Sequence, residues 1–89
     1  MRAVLTVVGK DTVGILAKIS GECAKYSVNI NEVSQTVLQD MFCMIMMCDV
    51  SRLTVGFGEF ADIMESLGTD MGMSVHVMHE DIFDSMHHI

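Results

Sequence analysis

Two stretches of this chain place apolar residues at one and the same spacing. Leu16, Ile19, Cys23 and Tyr26 follow one another at intervals of three, four and three, and Phe57, Phe60, Met64 and Leu67 repeat that set. Such intervals draw a single stripe along an α-helix, so each helix needs a layer to cover its stripe. The segments between them supply one. Arg2 to Val8 alternates and is rich in Val, Leu and Thr, Val28 to Gln39 is a long alternating run, Met41 to Ser51 is the most apolar stretch, and Met73 to His79 closes the series. All four read as strands. A tight turn at Gln39-Asp40 joins the second to the third, and so short a connection dictates an antiparallel hairpin.

The order is therefore βαββαβ, two strand–helix–strand halves in tandem. With right-handed crossovers it gives an α+β, ferredoxin-like sandwich. A four-stranded antiparallel sheet carries both helices on one face, with the first and third strands central. Helix one is expected from about Val13 to Tyr26, capped by Thr12 or Asp11. Helix two is expected from about Phe57 to Leu67, with Gly68 as its terminal glycine. Gly21, inside helix one, costs about 1 kcal/mol relative to Ala, which predicts a close neighbour there. The chain reads as one domain, residues 1–89, with a core over 2–79 and a tail over 80–89. In the tail, Ile82, Phe83, Met86 and Ile89 share a helical face, acidic residues crowd the start, and His87 and His88 lie at the end. That charge order suits a helix dipole, so a short amphipathic C-terminal helix is expected to dock on the body or on a partner.

The third strand adds a constraint on assembly. Met41, Cys43, Ile45 and Met47 fall on one face and Phe42, Met44, Met46 and Cys48 on the other. Both faces are apolar although helices cover only one, so the second needs the tail or another subunit over it. A homodimer or higher homo-oligomer follows.

Charge narrows the partners. Twelve acidic residues face five fixed cations (Arg2, Lys10, Lys18, Lys25 and Arg52), for a net charge of −7. That balance repels phosphate backbones and anionic lipid, so no nucleic-acid or membrane partner is expected. No apolar run reaches the roughly 20 residues that span a bilayer, and the start lacks a signal-peptide pattern; a cytoplasmic location is the default. Cys23, Cys43 and Cys48 form an odd set without C-x-x-C spacing, and Cys43 and Cys48 point to opposite strand faces. Reduced, buried thiols are expected.

The chemistry concentrates where the first strand turns into the first helix, at Val7 to Leu16. Gly14 stands at the helix start, where the absent Cβ opens the backbone and the first-turn N–H groups lack helical partners and favour an anion. Strand, then Gly9-Lys10-Asp11-Thr12-Val13-Gly14-Ile15-Leu16, then a helix, Val28-Asn29-Ile30, a hairpin and a second strand-flanked helix resembles the ACT domain family. The resemblance runs from about Val4 to His79, and the tail is similar to that of short, stand-alone bacterial and archaeal members. It implies a regulatory, non-catalytic domain that binds a small molecule, usually an amino acid, between two ACT domains. Carried over, the ligand residues are Asp11, Thr12, Val13, Gly14, Ile15 and Leu16 in the loop. Asn29, Ile30 and Asn31 at the start of the second strand join them, often from a neighbouring subunit. No enzyme or DNA-binding domain is attached, so a regulated target is expected on a separate partner protein. The alternative is an interaction module that binds no ligand, dimerises and recruits a partner enzyme.

Other chemistries find less support. The Met41, Met44, Met46 and Met47 run with Cys43 and Cys48 splits across two strand faces, against a soft-metal site. His76 and His79 point to opposite faces, and His87 and His88 are adjacent, so no metal site is expected. Gly9 to Gly14 has phosphate-loop spacing, but Ile15-Leu16 replaces the Lys-Ser/Thr pair, and Glu59 disqualifies the Gly56-to-Ala61 dinucleotide mimic. No nucleophile has a base at recognisable spacing, and no cofactor is implied.

Overall fold

The computed structural model of the chain describes residues 1–86. Its elements are β1 (Arg2–Lys10), α1 (Ile15–Lys25), β2 (Asn29–Leu38), β3 (Met41–Asp49), α2 (Phe57–Asp70), β4 (Met73–His79) and α3 (Glu80–Met86). The strands form one antiparallel sheet in the order β2-β3-β1-β4, with β1 and β3 central, as the βαββαβ pattern requires. The tail positions assigned to His87, His88 and Ile89 lie outside the described residues.

One face of the sheet carries the core. Ala3, Leu5 and Val7 of β1 meet Phe42, Met44, Met46 and Cys48 of β3 and Met73 and Val75 of β4. Ile15, Ile19 and Cys23 of α1 and Phe60 and Met64 of α2 close over them, with Tyr26 edge-on to Phe60 at 6.2 Å between ring centroids. The buried stripe of α1 therefore starts at Ile15, whereas Leu16, expected on it, is exposed. An apolar face about 100° wide admits either neighbour, and the entry of the helix decides between them.

Two glycine expectations are corrected. At Gly21, open space surrounds the position a Cβ would occupy, so nothing lies close to it. Gly68 does not end α2; it sits inside the helix, buried, where a Cβ would run into Val75 of β4. The left-handed residue that ends the turn after α2 is Gly72, at φ 74°. Helix α1 ends differently. The Val28 N–H donates to the Cys23 carbonyl at 2.8 Å and the Ser27 N–H to that of Ala24 at 3.1 Å. This is the paired bonding of a Schellman cap, with Ser27 at φ 61° where glycine is usual.

The opposite sheet face is partly covered. Helix α3 packs against β1 and β4, an ion pair joins Arg2 to Glu80, and Val4, which points to this face, is fully buried. His79 stacks on Phe57 at 4.2 Å at the same end of the molecule, on the core side. Of the expected apolar face of the tail helix, only Phe83 is half-buried, while Ile82 and Met86 are exposed. Val8, Met41 and Ile45 on the central strands and Leu38 beside them stay exposed. Helix α3, the described part of the tail, does not by itself cover the second apolar face.

Candidate functional site

Strand β1 ends in a short irregular turn. The Asp11 N–H donates to the Asp40 carbonyl at 2.8 Å, which ties this turn to the tip of the β2–β3 hairpin. Asp11 and Thr12 then run to Gly14, the residue before the first helical turn, at φ 86° and ψ 12°. Neither Asp11 nor Thr12 caps α1; no side chain bonds the helix start. Gly14 is demanded by its backbone angle. It does not serve close packing, because open space surrounds its Cβ position. The first-turn N–H groups keep no helical acceptor, and no acidic residue occupies that turn. Of the six loop residues expected at the site, Ile15 is buried in the core and the other five are exposed, with Val13 97% exposed.

The other three expected residues lie at the opposite end of the sheet. Asn29 pairs with Asp49 at the end of β3, whereas Lys10 pairs with Met41 at its start. At about 3.3 Å per residue the two ends of β3 are about 26 Å apart. Helix α1 carries the chain from one end to the other. Within one chain, Asp11–Leu16 and Asn29–Asn31 do not meet. The β2–β3 register shifts between Ile30 and Glu32, so Asn31, unlike Asn29, has no partner on β3.

Asn29 instead joins residues that the sequence pattern did not single out. A hollow of 530 Å³ opens where α1 ends and β2 begins, lined by Ser27, Asn29, Asp49, Ser51 and Arg52 among others. The Ser51 N–H and hydroxyl both donate to Asp49 Oδ1, at 2.9 and 2.6 Å, and the Met1 nitrogen donates to Ser51 Oγ at 3.1 Å. These Ser51 bonds hold the Asp49 carboxyl below the usual aspartate range, with smaller help from the Met1 amine and Arg52. The available signal was Asp49-Val50-Ser51, an Asx turn directly after the most apolar strand.

Two other hollows differ in character. One, of 690 Å³, lies between Arg2, His79 and the start of α3, where Arg2 and Glu80 engage each other. One of 410 Å³ lies between α1 and α2 and presents Glu22, Glu59, Asp62 and Asp70. Among the described residues no three His, Cys, Asp or Glu side chains are grouped to hold a metal. Cys23 and Cys48 are both buried, and their mutual hydrogen bond, with burial, pushes the Cys23 thiol up. No helix among the described residues is long and apolar enough to cross a membrane.

With this geometry in hand, relatives are informative. The family model described as "ACT domain" matches residues 2–78. The chain belongs to the ACT domain family. ACT domains are ligand-binding regulatory domains, and they often oligomerise. A UPF0237 protein of Listeria monocytogenes is 46% identical over 87 residues, covering 98% of each chain. Among solved structures, an ACT domain protein from Streptococcus pneumoniae superposes with a TM-score of 0.82 at 34% identity, covering 94% of both chains. A formyltetrahydrofolate deformylase from Pseudomonas syringae contains the same fold, with a TM-score of 0.79 at 23% identity. That match covers 88% of this chain and 27% of the deformylase.

Proposed function

We propose that this ACT domain is a non-catalytic, cytoplasmic sensor that works as a homo-oligomer. It binds an amino acid or similar small zwitterion between two copies and passes that state to a separate partner protein. One observation carries the reading: the helix start at Gly14 is a left-handed corner whose amides are uncapped and whose surroundings the chain does not fill. An anionic group suits such a corner. The half that should complete the site, Asn29 to Asn31, lies at the far end of the same sheet. A second copy running the other way brings one chain's loop to the other's strand start. Exposed Val13 and Leu16 flank the corner and supply apolar contact for that pairing.

The ligand then acts by population shift, favouring the subunit arrangement in which both halves of the site close on it. Isothermal titration of the full chain with the common amino acids tests this, with light scattering to follow assembly. Heat and a thermal shift for at least one amino acid are expected. Silence across the whole set overturns the sensor.

The alternative, an interaction module without a ligand, draws on Val8, Leu38, Met41 and Ile45 left exposed on the sheet. Gly14→Val separates the two readings. It should abolish ligand response and leave assembly intact in a sensor, and leave partner recruitment untouched in a pure interaction module.

A further inference from the structure

Resting on the proposed amino-acid site, we infer that Asp49 and Arg52 are its charge-reading residues, and that they make it select a zwitterion over a plain acid or a plain amine. The loop from Asp11 to Leu16 brings backbone donors, which suit any small anion. Selection for an amino acid needs a fixed negative group for the ammonium and a fixed positive one for the carboxylate. The hollow beside Asn29 holds both.

Its chemistry is already arranged. Ser51 engages one oxygen of Asp49 twice and so fixes the carboxylate, leaving the second oxygen to accept from an ammonium. Asn29 lines the same hollow, and its side-chain amide can supply a further acceptor. Arg52 also lines it; it lies near enough to Asp49 to favour the charged carboxylate but makes no close ion pair among the described residues. Its guanidinium can hold a carboxylate through paired N–H donors. The carboxylate then faces Arg52 from one chain and the first-turn amides from the other. A volume of 530 Å³ falls within the range of about 300–1,000 Å³ typical of small-molecule sites.

The other hollows lack this pairing. The one between α1 and α2 presents four carboxylates that repel an amino acid's carboxylate. In the one beside α3, the fixed side-chain cation of the lining, Arg2, is already ion-paired with Glu80.

The test is calorimetric titration of the full chain and of Asp49→Asn and Arg52→Gln. The probes are the common amino acids and, for each binder, its decarboxylated amine and its deaminated acid. The side-chain amide that Asp49→Asn introduces retains an oxygen to accept from Ser51, so the turn survives that substitution; thermal melts confirm that both variants fold. A charge-assisted contact of this kind is worth about tenfold or more in affinity. Asp49→Asn should lose that factor for the amino acid and none for the deaminated acid, and Arg52→Gln should lose it for the amino acid and none for the amine. If both variants bind the amino acid as the parent does, while Gly14→Val abolishes binding, the inference fails and the sensor stands. If the parent binds no amino acid, the sensor and the inference fall together.

Discussion

Replacing Gly21 and Gly68 by alanine makes the same chemical change in two helices and should move stability in opposite directions. At either site, alanine gains about 1 kcal/mol of helix propensity over glycine. At Gly21 nothing lies within reach of the new methyl, so the gain stands alone. At Gly68 the methyl would run into Val75 Cγ2, 2.9 Å from Val75 Cβ and 3.1 Å from the Met73 carbonyl oxygen. Val75 is buried, β-branched and carried on a strand hydrogen-bonded to β1, so it has little room to retreat. Overpacking of this kind costs about 1–3 kcal/mol, and overlap with both a side chain and a backbone oxygen puts Gly68 at the upper end. The expected balance is a loss of about 2 kcal/mol for Gly68→Ala against a gain of about 1 kcal/mol for Gly21→Ala. In a domain of this size each kcal/mol shifts Tm by about 4–8 °C, so the two melting curves should separate by more than about 10 °C. Thermal melts at one fixed protein concentration read this directly. Adding Val75→Ala to Gly68→Ala should show favourable coupling in a double-mutant cycle. If Gly68→Ala raises Tm as much as Gly21→Ala does, the account of helix–sheet contact at this position is wrong.

Three more outcomes follow from the same geometry. Ser27→Gly should stabilise by about 1 kcal/mol because it relieves a left-handed residue of its Cβ, whereas Ser27→Ala should give no such gain in urea melts. Asp49 should titrate below ordinary aspartates by NMR, since Ser51 hydrogen-bonds its charged form, and Ser51→Ala should raise that midpoint. Because the folded value is the lower one, this contribution is present above the ordinary aspartate pKa and fades as pH falls through the folded value. Phe60→Ala empties the centre of the helix–sheet interface and should cost about 3–5 kcal/mol, enough to populate the unfolded state in mild denaturant.

The architecture was legible because period and length agree along most of the chain. The alternating faces of Phe42 to Cys48 and the stripe through Phe60 and Met64 each admit one layer arrangement, and that arrangement is present. What escaped was decided by single backbone angles. Ile15 and Leu16 are equivalent to a stripe rule until Gly14, at φ 86°, sets where α1 enters the core. Gly68 and Gly72 are both plausible helix ends, and only contact with Val75 shows the first to be an interior packing position. The extra residue at Asn31 is invisible to a period-two reading.

At the candidate site, the open corner at Gly14 was foreseen but its lack of a side-chain cap was not. The charged lining of Asp49 and Arg52 was missed altogether. It arises from residues distant in sequence from Asn29, brought beside it only by the pairing of β2 with β3.

Because the loop and the Asn29 corner sit at opposite ends of each subunit, a chain cannot close the proposed site upon itself. Occupancy under that reading is governed by mass action in the protein as well as in the ligand. Dilution should weaken apparent affinity, and a cell that makes more of this chain becomes more responsive at an unchanged ligand level.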